Sequence, residues 1–235
     1  MQRSEQTLTT LTVIAGLAVL VAAYLALVVA PPALGPSGQN LGPDLTAAQR
    51  IIYFHVPSAL VSMLAFAVTM VASIGYLRTG NQRWDIAALS SAEIGIAFTI
   101  AVLGSGSVWA KPAWNTWWTW DPRLTTYTIV FLLYVSYFML RGSMDYPARR
   151  ARFAAVYGIF AFVSVPITFF SIRWWRTIHP VLFDAQNFGL SSGMKPVFFY
   201  CLATFTLLYM VFLLHRMRLE ETREEVEELK EQLGY

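Results

Sequence analysis

Six runs of about twenty apolar residues constrain this chain more than any other feature. Each is long enough, at about 1.5 Å per helical residue, to cross roughly 30 Å of hydrocarbon. They lie at Leu8–Ala30, Ser58–Leu77, Ile86–Val108, Leu124–Leu140, Phe153–Ile172 and Pro196–Leu214. In lipid every backbone N–H and C=O must find a partner inside the protein, so each run is expected to be a helix. Charged residues make up 13% of the chain, against about 25% in soluble domains. The expected fold is an all-α integral membrane protein with six transmembrane helices. The first run also invites reading as a cleaved signal peptide. Its apolar stretch, Leu11 to Ala30, exceeds the roughly 7–15 residues of a signal core, so a retained helix is expected.

The distribution of lysine and arginine sets the orientation. With the N-terminus inside, the cytoplasmic segments hold eleven of the seventeen cations and the outer segments six. The dense cluster Arg149, Arg150 and Arg152 sits in a short inner loop and carries most weight. Both termini are therefore expected in the cytoplasm, with residues 1–214 forming the six-span domain. Residues 215–235 would continue the last span as a cytoplasmic helical tail. There Leu219, Val226, Leu229 and Leu233 recur at helical spacing among glutamates, the pattern of a solvated extension or of a short coiled-coil contact.

Between the third and fourth runs lies W-A-K-P-A-W-N-T-W-W-T-W-D-P-R-L-T, residues 109–125, with five of the eight tryptophans in twelve residues. Pro112 and Pro122 are expected to interrupt helix on either side of the tightest cluster. On the expected topology seven tryptophans face outward and only Trp84 inward. An interfacial belt decorates both surfaces, so the asymmetry points to a site on the outer face. Two of the three histidines share that face: His55 before the second run and His179 after the fifth. His215, among arginines at the inner end of the last run, is expected at the surface.

Neutral imidazole is a natural axial ligand for haem iron. Indoles offer stacking area to a flat apolar porphyrin, and Lys111, Arg123, Arg173 and Arg176 supply cations for its propionates. Haem accounts for all three residue classes at once. Zinc would want a third ligand, for which Asp121 and Asp184 are the outer carboxylates at hand. The lone cysteine, Cys201, excludes an intrachain disulfide, a C-x-x-C pair and a thiolate cluster.

W-N-T-W-W-T-W-D-P-R-L-T resembles the tryptophan-rich WWD signature of the haem-handling proteins of cytochrome c maturation. The six-span layout, with His55 and His179 in flanking outer loops, resembles within them the haem exporter protein C family, over nearly the whole chain. The resemblance implies a non-covalent, transient haem b site at the periplasmic face of the cytoplasmic (inner) membrane. Its residues would be His55 and His179 as iron ligands, with Trp114, Trp117, Trp118, Trp120, Asp121 and Arg123 from the signature. Arg173 and Arg176 join them on charge and position. The implied activity is haem transfer to a membrane-tethered periplasmic haem chaperone, alongside ABC transporter subunits and a small single-span subunit. No residues of this chain are expected to make or break covalent bonds, and nucleic acid is not an expected partner. No G-x-x-x-x-G-K-[ST] occurs, so ATP use would belong to partners.

Rival readings are a haem lyase acting directly on apocytochrome c and a haem-containing membrane oxidoreductase. The short outer loops weigh against the first. The absence of paired histidines inside the spans weighs against the second. Asp121 is expected to accept from an indole, to pair with Arg123, or simply to form the turn before Pro122. Glu93, the one carboxylate well inside a span, is a functional candidate by its position, with Ser62, Tyr76 or Thr99 as expected donors. The small residues Gly104 to Ser107 suggest close helix contact or close approach of a flat ligand.

Overall fold

The computed structural model describes residues 2–32, 42–182 and 189–233. These form eight α-helices: α1 (Gln2–Tyr24), α2 (Pro43–Ala48), α3 (Ile52–Thr79), α4 (Gln82–Trp114), α5 (Pro122–Gly142), α6 (Pro147–Phe162), α7 (Ser164–Trp174) and α8 (Met194–Leu233). No strand occurs among the described residues. Six stretches are long and apolar enough to cross a membrane, as expected: α1 with the turn that follows it, α2 joined to α3, α4, α5, α6 joined to α7, and α8.

The helices run further than the apolar runs alone suggest. α3 begins at Ile52, so His55 and Pro57 belong to its first two turns rather than to a preceding loop. Pro57, the sixth residue of α3, lacks the N–H that would have paired with the Tyr53 carbonyl, yet the helix runs on through it. α4 likewise passes through Pro112 and stops only at Trp114, where Asn115 takes the left-handed conformation (φ 56°) that asparagine tolerates. Lys111 seals that end, its ammonium on the Asn115 carbonyl (3.2 Å) and side-chain oxygen (3.3 Å). Trp109 and Trp114 are thus helical, and Pro112 does not break the helix as expected. The fifth run, by contrast, is divided between Phe162 and Ser164. There Pro166 cannot donate to the preceding turn, and the Ser164 hydroxyl turns back to the Ala161 carbonyl (2.6 Å).

The centre of the bundle is the long α3–α4 pair, with α6, α5 and α8 packed around it. α1 joins at the side through small residues: Ala22, Ala26 and Ala30 pack with Phe198 and Cys201 of α8. A short π-helical turn, Leu25–Val29, ends α1. Pro31 has no N–H to offer there, and the Ala26 carbonyl is taken by the Arg50 guanidinium at 2.8 Å.

Ion pairs fasten the end of the bundle opposite the tryptophan stretch. Asp85 of α4 and Arg141 of α5 form a buried bidentate pair at 2.6 and 2.7 Å. Glu93 finds neither Ser62, Tyr76 nor Thr99. Its partner is Arg216 of α8, which also binds Glu220 at 2.7 Å. Ser62 instead meets Tyr127, and Thr99 the Gly95 carbonyl. His215 is tied to Thr12 of α1 (2.8 Å).

Candidate functional site

The antiparallel course of the spans brings the start of α3, the end of α4, the start of α5 and the segment after α7 to one end of the bundle. Between them lies an apolar cleft of about 1310 Å³, counting the part open to solvent. α3 contributes His55 and aliphatic residues down to Met63, and α4 contributes Val102, Gly106, Trp109 and Trp114. Trp118 comes from the connecting loop, Arg123 and Tyr127 from α5, and Phe169 and Arg173 from α7. His179 and Pro180 follow from the segment beyond α7.

Both histidines reach this cleft from different elements. His55 sits one turn into α3, its Nδ1 3.0 Å from the Ser105 hydroxyl. That hydroxyl also lies 2.7 Å from the Ala101 carbonyl and 3.3 Å from that of Val102, both of which can only accept its proton. The Nδ1 of His179 faces the Pro180 carbonyl at 3.0 Å, which can only accept. In both rings Nε2 has no hydrogen-bond partner among the described residues. Burial holds the His179 imidazole well below its ordinary range, at about 4, and the Arg123 charge pushes the same way. The Pro180 carbonyl and Asp121 pull weakly against them. His179 is therefore neutral at pH 7, the form that binds a metal.

Asp121 anchors the segment that carries His179. One carboxylate oxygen caps α5 by accepting the Arg123 backbone N–H (3.0 Å) and also takes the Thr177 hydroxyl (2.6 Å). The other accepts the Ile178 N–H at 2.9 Å. Thr177 in turn accepts the His179 N–H at 3.0 Å. Asp121 thus forms the turn before Pro122, as one expectation had it, but its further partners are this segment and neither an indole nor the Arg123 guanidinium.

Arg123 itself points inward and donates to the Thr168 carbonyl of α7. No carboxylate pairs with it among the described residues. A guanidinium in an apolar cleft without a counter-ion is an unmet demand for an anion. Its partner would have to come with the guest.

The predicted residues divide. His55, His179, Trp114, Trp118, Arg123 and Arg173 meet at the cleft. Trp114 lies edge-on to His179, with ring centroids 6.5 Å apart, and to Trp109 at 5.1 Å. Trp117 and Trp120 are largely exposed, and Arg176 lies outside the lining. Asp121 stands behind the cleft and shapes it. Trp109, the first indole of the tryptophan stretch, also lines the cleft, as does Tyr127, which was not anticipated. Treating Pro112 as a breaker hid the i, i+5 relation of Trp109 and Trp114 along one helix. For zinc, no group of three potential ligands occurs among the described residues, and Asp184 lies outside them.

Fold and cleft together define a multi-pass helical membrane protein with an apolar cleft at one end of its bundle. Comparison narrows this. The family described as Heme exporter protein C matches residues 1–232, and the chain belongs to that family. It is 38% identical over 201 residues to Heme exporter protein C of Bradyrhizobium diazoefficiens, covering 84% of this chain and 74% of that one. The Escherichia coli K12 protein of the same name is 35% identical, covering 77% of this chain and 75% of its own. A putative cytochrome c biosynthesis ccmC-like mitochondrial protein of Marchantia polymorpha is 33% identical, over 70% and 71% respectively.

Proposed function

We propose that this chain holds haem b, non-covalently and transiently, in the cleft at the tryptophan end of its bundle. It passes that cargo to a membrane-tethered haem chaperone for the assembly of c-type cytochromes. Family membership supports haem handling in cytochrome c maturation. The observation that carries the site is the pair of imidazoles, each with Nδ1 tied down and Nε2 free, brought from separate elements to one apolar cleft. The excess of cations at the opposite end supports placing the cleft on the periplasmic side of the inner membrane.

The residues present fit haem as a guest. Two nitrogen donors suit its iron, aromatic and aliphatic walls suit the macrocycle, and Arg123 suits a propionate. His55 and His179 hold the iron, while the walls exclude water and so strengthen the Arg123 contact. Release then requires ligand exchange at iron and loss of one charge pair, with no covalent bond made or broken by this chain. Companions would be ABC transporter subunits, which would supply ATP hydrolysis, and a small single-span subunit.

The test is the visible spectrum of the purified protein, repeated for His55→Ala and His179→Ala. A Soret band is expected in the parent, weakened and shifted in each variant. No band in the parent, or an unchanged band in both variants, would refute the reading.

A further inference from the structure

We propose that Ser105 and Gly106 form a cradle on α4 that positions His55, a role that rests on the reading of His55 as an iron ligand. The Ser105 hydroxyl places its own proton on the Ala101 carbonyl at 2.7 Å and so accepts from Nδ1 at 3.0 Å. That fixes the tautomer and leaves the Nε2 lone pair for a metal. Gly106 lies directly against the ring. A Cβ built there would stand 2.9 Å from His55 Cε1 and 3.5 Å from Nδ1, closer than carbon atoms normally approach. Only glycine lets the imidazole settle deep enough for the Ser105 contact to close. Serine thus selects the tautomer and glycine makes the room.

The two ligands are held unequally. The Nδ1 partner of His55 belongs to the neighbouring helix, in the most extensive helix pair of the bundle. The Nδ1 partner of His179 is the carbonyl of its own successor, on a segment without helix. The cradle makes His55 the fixed member of the pair.

The tautomer is directly observable without haem. In the haem-free, detergent-solubilised chain with ¹⁵N-labelled histidine, the His55 ring, assigned by its loss in His55→Ala, should show protonated Nδ1 and bare Nε2. Ser105→Ala should lose that preference, and Ser105→Thr, which restores the hydroxyl, should recover it. Gly106→Ala should also lose it, although Ser105 is intact. The His179 and His215 resonances should stay in place in all three, which reports an undisturbed fold. In the haem-loaded protein Ser105→Ala should keep a Soret band but release haem about 10- to 100-fold faster, the usual effect of removing a partner behind a metal-ligating histidine. A parent His55 carrying its proton on Nε2, or a tautomer unmoved in Ser105→Ala, would overturn the proposal. Failure of the parent to bind haem would instead refute the haem reading, and the nitrogen spectra would still decide the cradle.

Discussion

Asp121 offers the most discriminating perturbation, because one carboxylate holds both the start of α5 and the segment bearing His179. Its three acceptor contacts, at 3.0, 2.6 and 2.9 Å, separate by function. Losing the helix cap costs about 1 kcal/mol. Losing hydrogen bonds to a charged acceptor costs about 1.5–3 kcal/mol each, and two of them tether Thr177 and Ile178. Asp121 is half-buried and water replaces part of what is lost, so the lower half of that range applies, about 3 kcal/mol for the tether. At about 1.4 kcal/mol per factor of ten, the closed arrangement of the His179 segment loses roughly a hundredfold in relative population. Apparent haem affinity falls with the competent fraction.

Asp121→Ala should therefore shed haem to an apo-globin scavenger up to about a hundredfold faster than the parent. Amide exchange at Ile178 and His179 should accelerate in the haem-free chain. Asp121→Asn keeps one acceptor oxygen and loses the charge, so it should fall between, near tenfold. The order is the test. An alanine variant that keeps parental haem release and parental exchange at those two amides would remove Asp121 from its anchoring role.

Other consequences follow from the same geometry. A neutral imidazole in the folded chain at about 4, against about 6.5 unfolded, means that the unfolded form takes up the extra proton as pH falls between those values. The His179 contribution to stability should thus be complete above pH 6.5, decline through that window and change no further below 4, readable as thermal unfolding in detergent against pH. Haem retention should likewise persist below pH 6 and fail near 4. Arg123→Ala removes a charge that depresses the His179 proton affinity, so the pH of haem loss should rise while retention at pH 7 also drops; unchanged values of both would exclude Arg123 from the site. At the other end, Arg141→Ala leaves Asp85 buried without its partner and should cost about 3–5 kcal/mol. Replacing both partners by apolar residues of similar size should restore most of the melting temperature.

Helix number and the identity of the cleft's chief residues were legible in the sequence for a physical reason. Spans in lipid announce themselves by length and composition, and three histidines are few enough to notice. What stayed hidden was local. Pro112 suggests an interruption, yet it lies in the last turn of α4 and the helix runs on past it to Trp114. Glu93 was noticed, but nothing local names Arg216 as its partner 123 residues away. The pair of Asp85 and Arg141 was likewise invisible, since both read as ordinary interfacial charges until the helices meet. Of the signature tryptophans, density in sequence could not separate the inward Trp114 and Trp118 from the exposed Trp117 and Trp120. That division depends on where α4 ends, which Asn115 decides.

The two ends of the bundle are built on different principles, and the difference bears on transfer. At the tail end, charged clamps join α4 to α5 and α8, among them a buried bidentate pair that loses several kcal/mol if one partner leaves. At the tryptophan end the described charged contacts are few. There the cleft closes with aromatic edges, a proline-bounded loop and one carboxylate, interactions that part and re-form at modest cost. On the proposed reading, a carrier that surrenders its cargo needs this asymmetry. Were both ends clamped by ion pairs, opening far enough to admit a porphyrin would mean leaving buried charges unpaired. With the clamps confined to one end, α4 stays fixed there and carries the Ser105–Gly106 cradle at its other end. On the proposed reading, movement is left to residues 175–182, which follow α7 and are tied to the bundle through Asp121. On that reading, the ion pairs set which of the two proposed ligands stays and which moves.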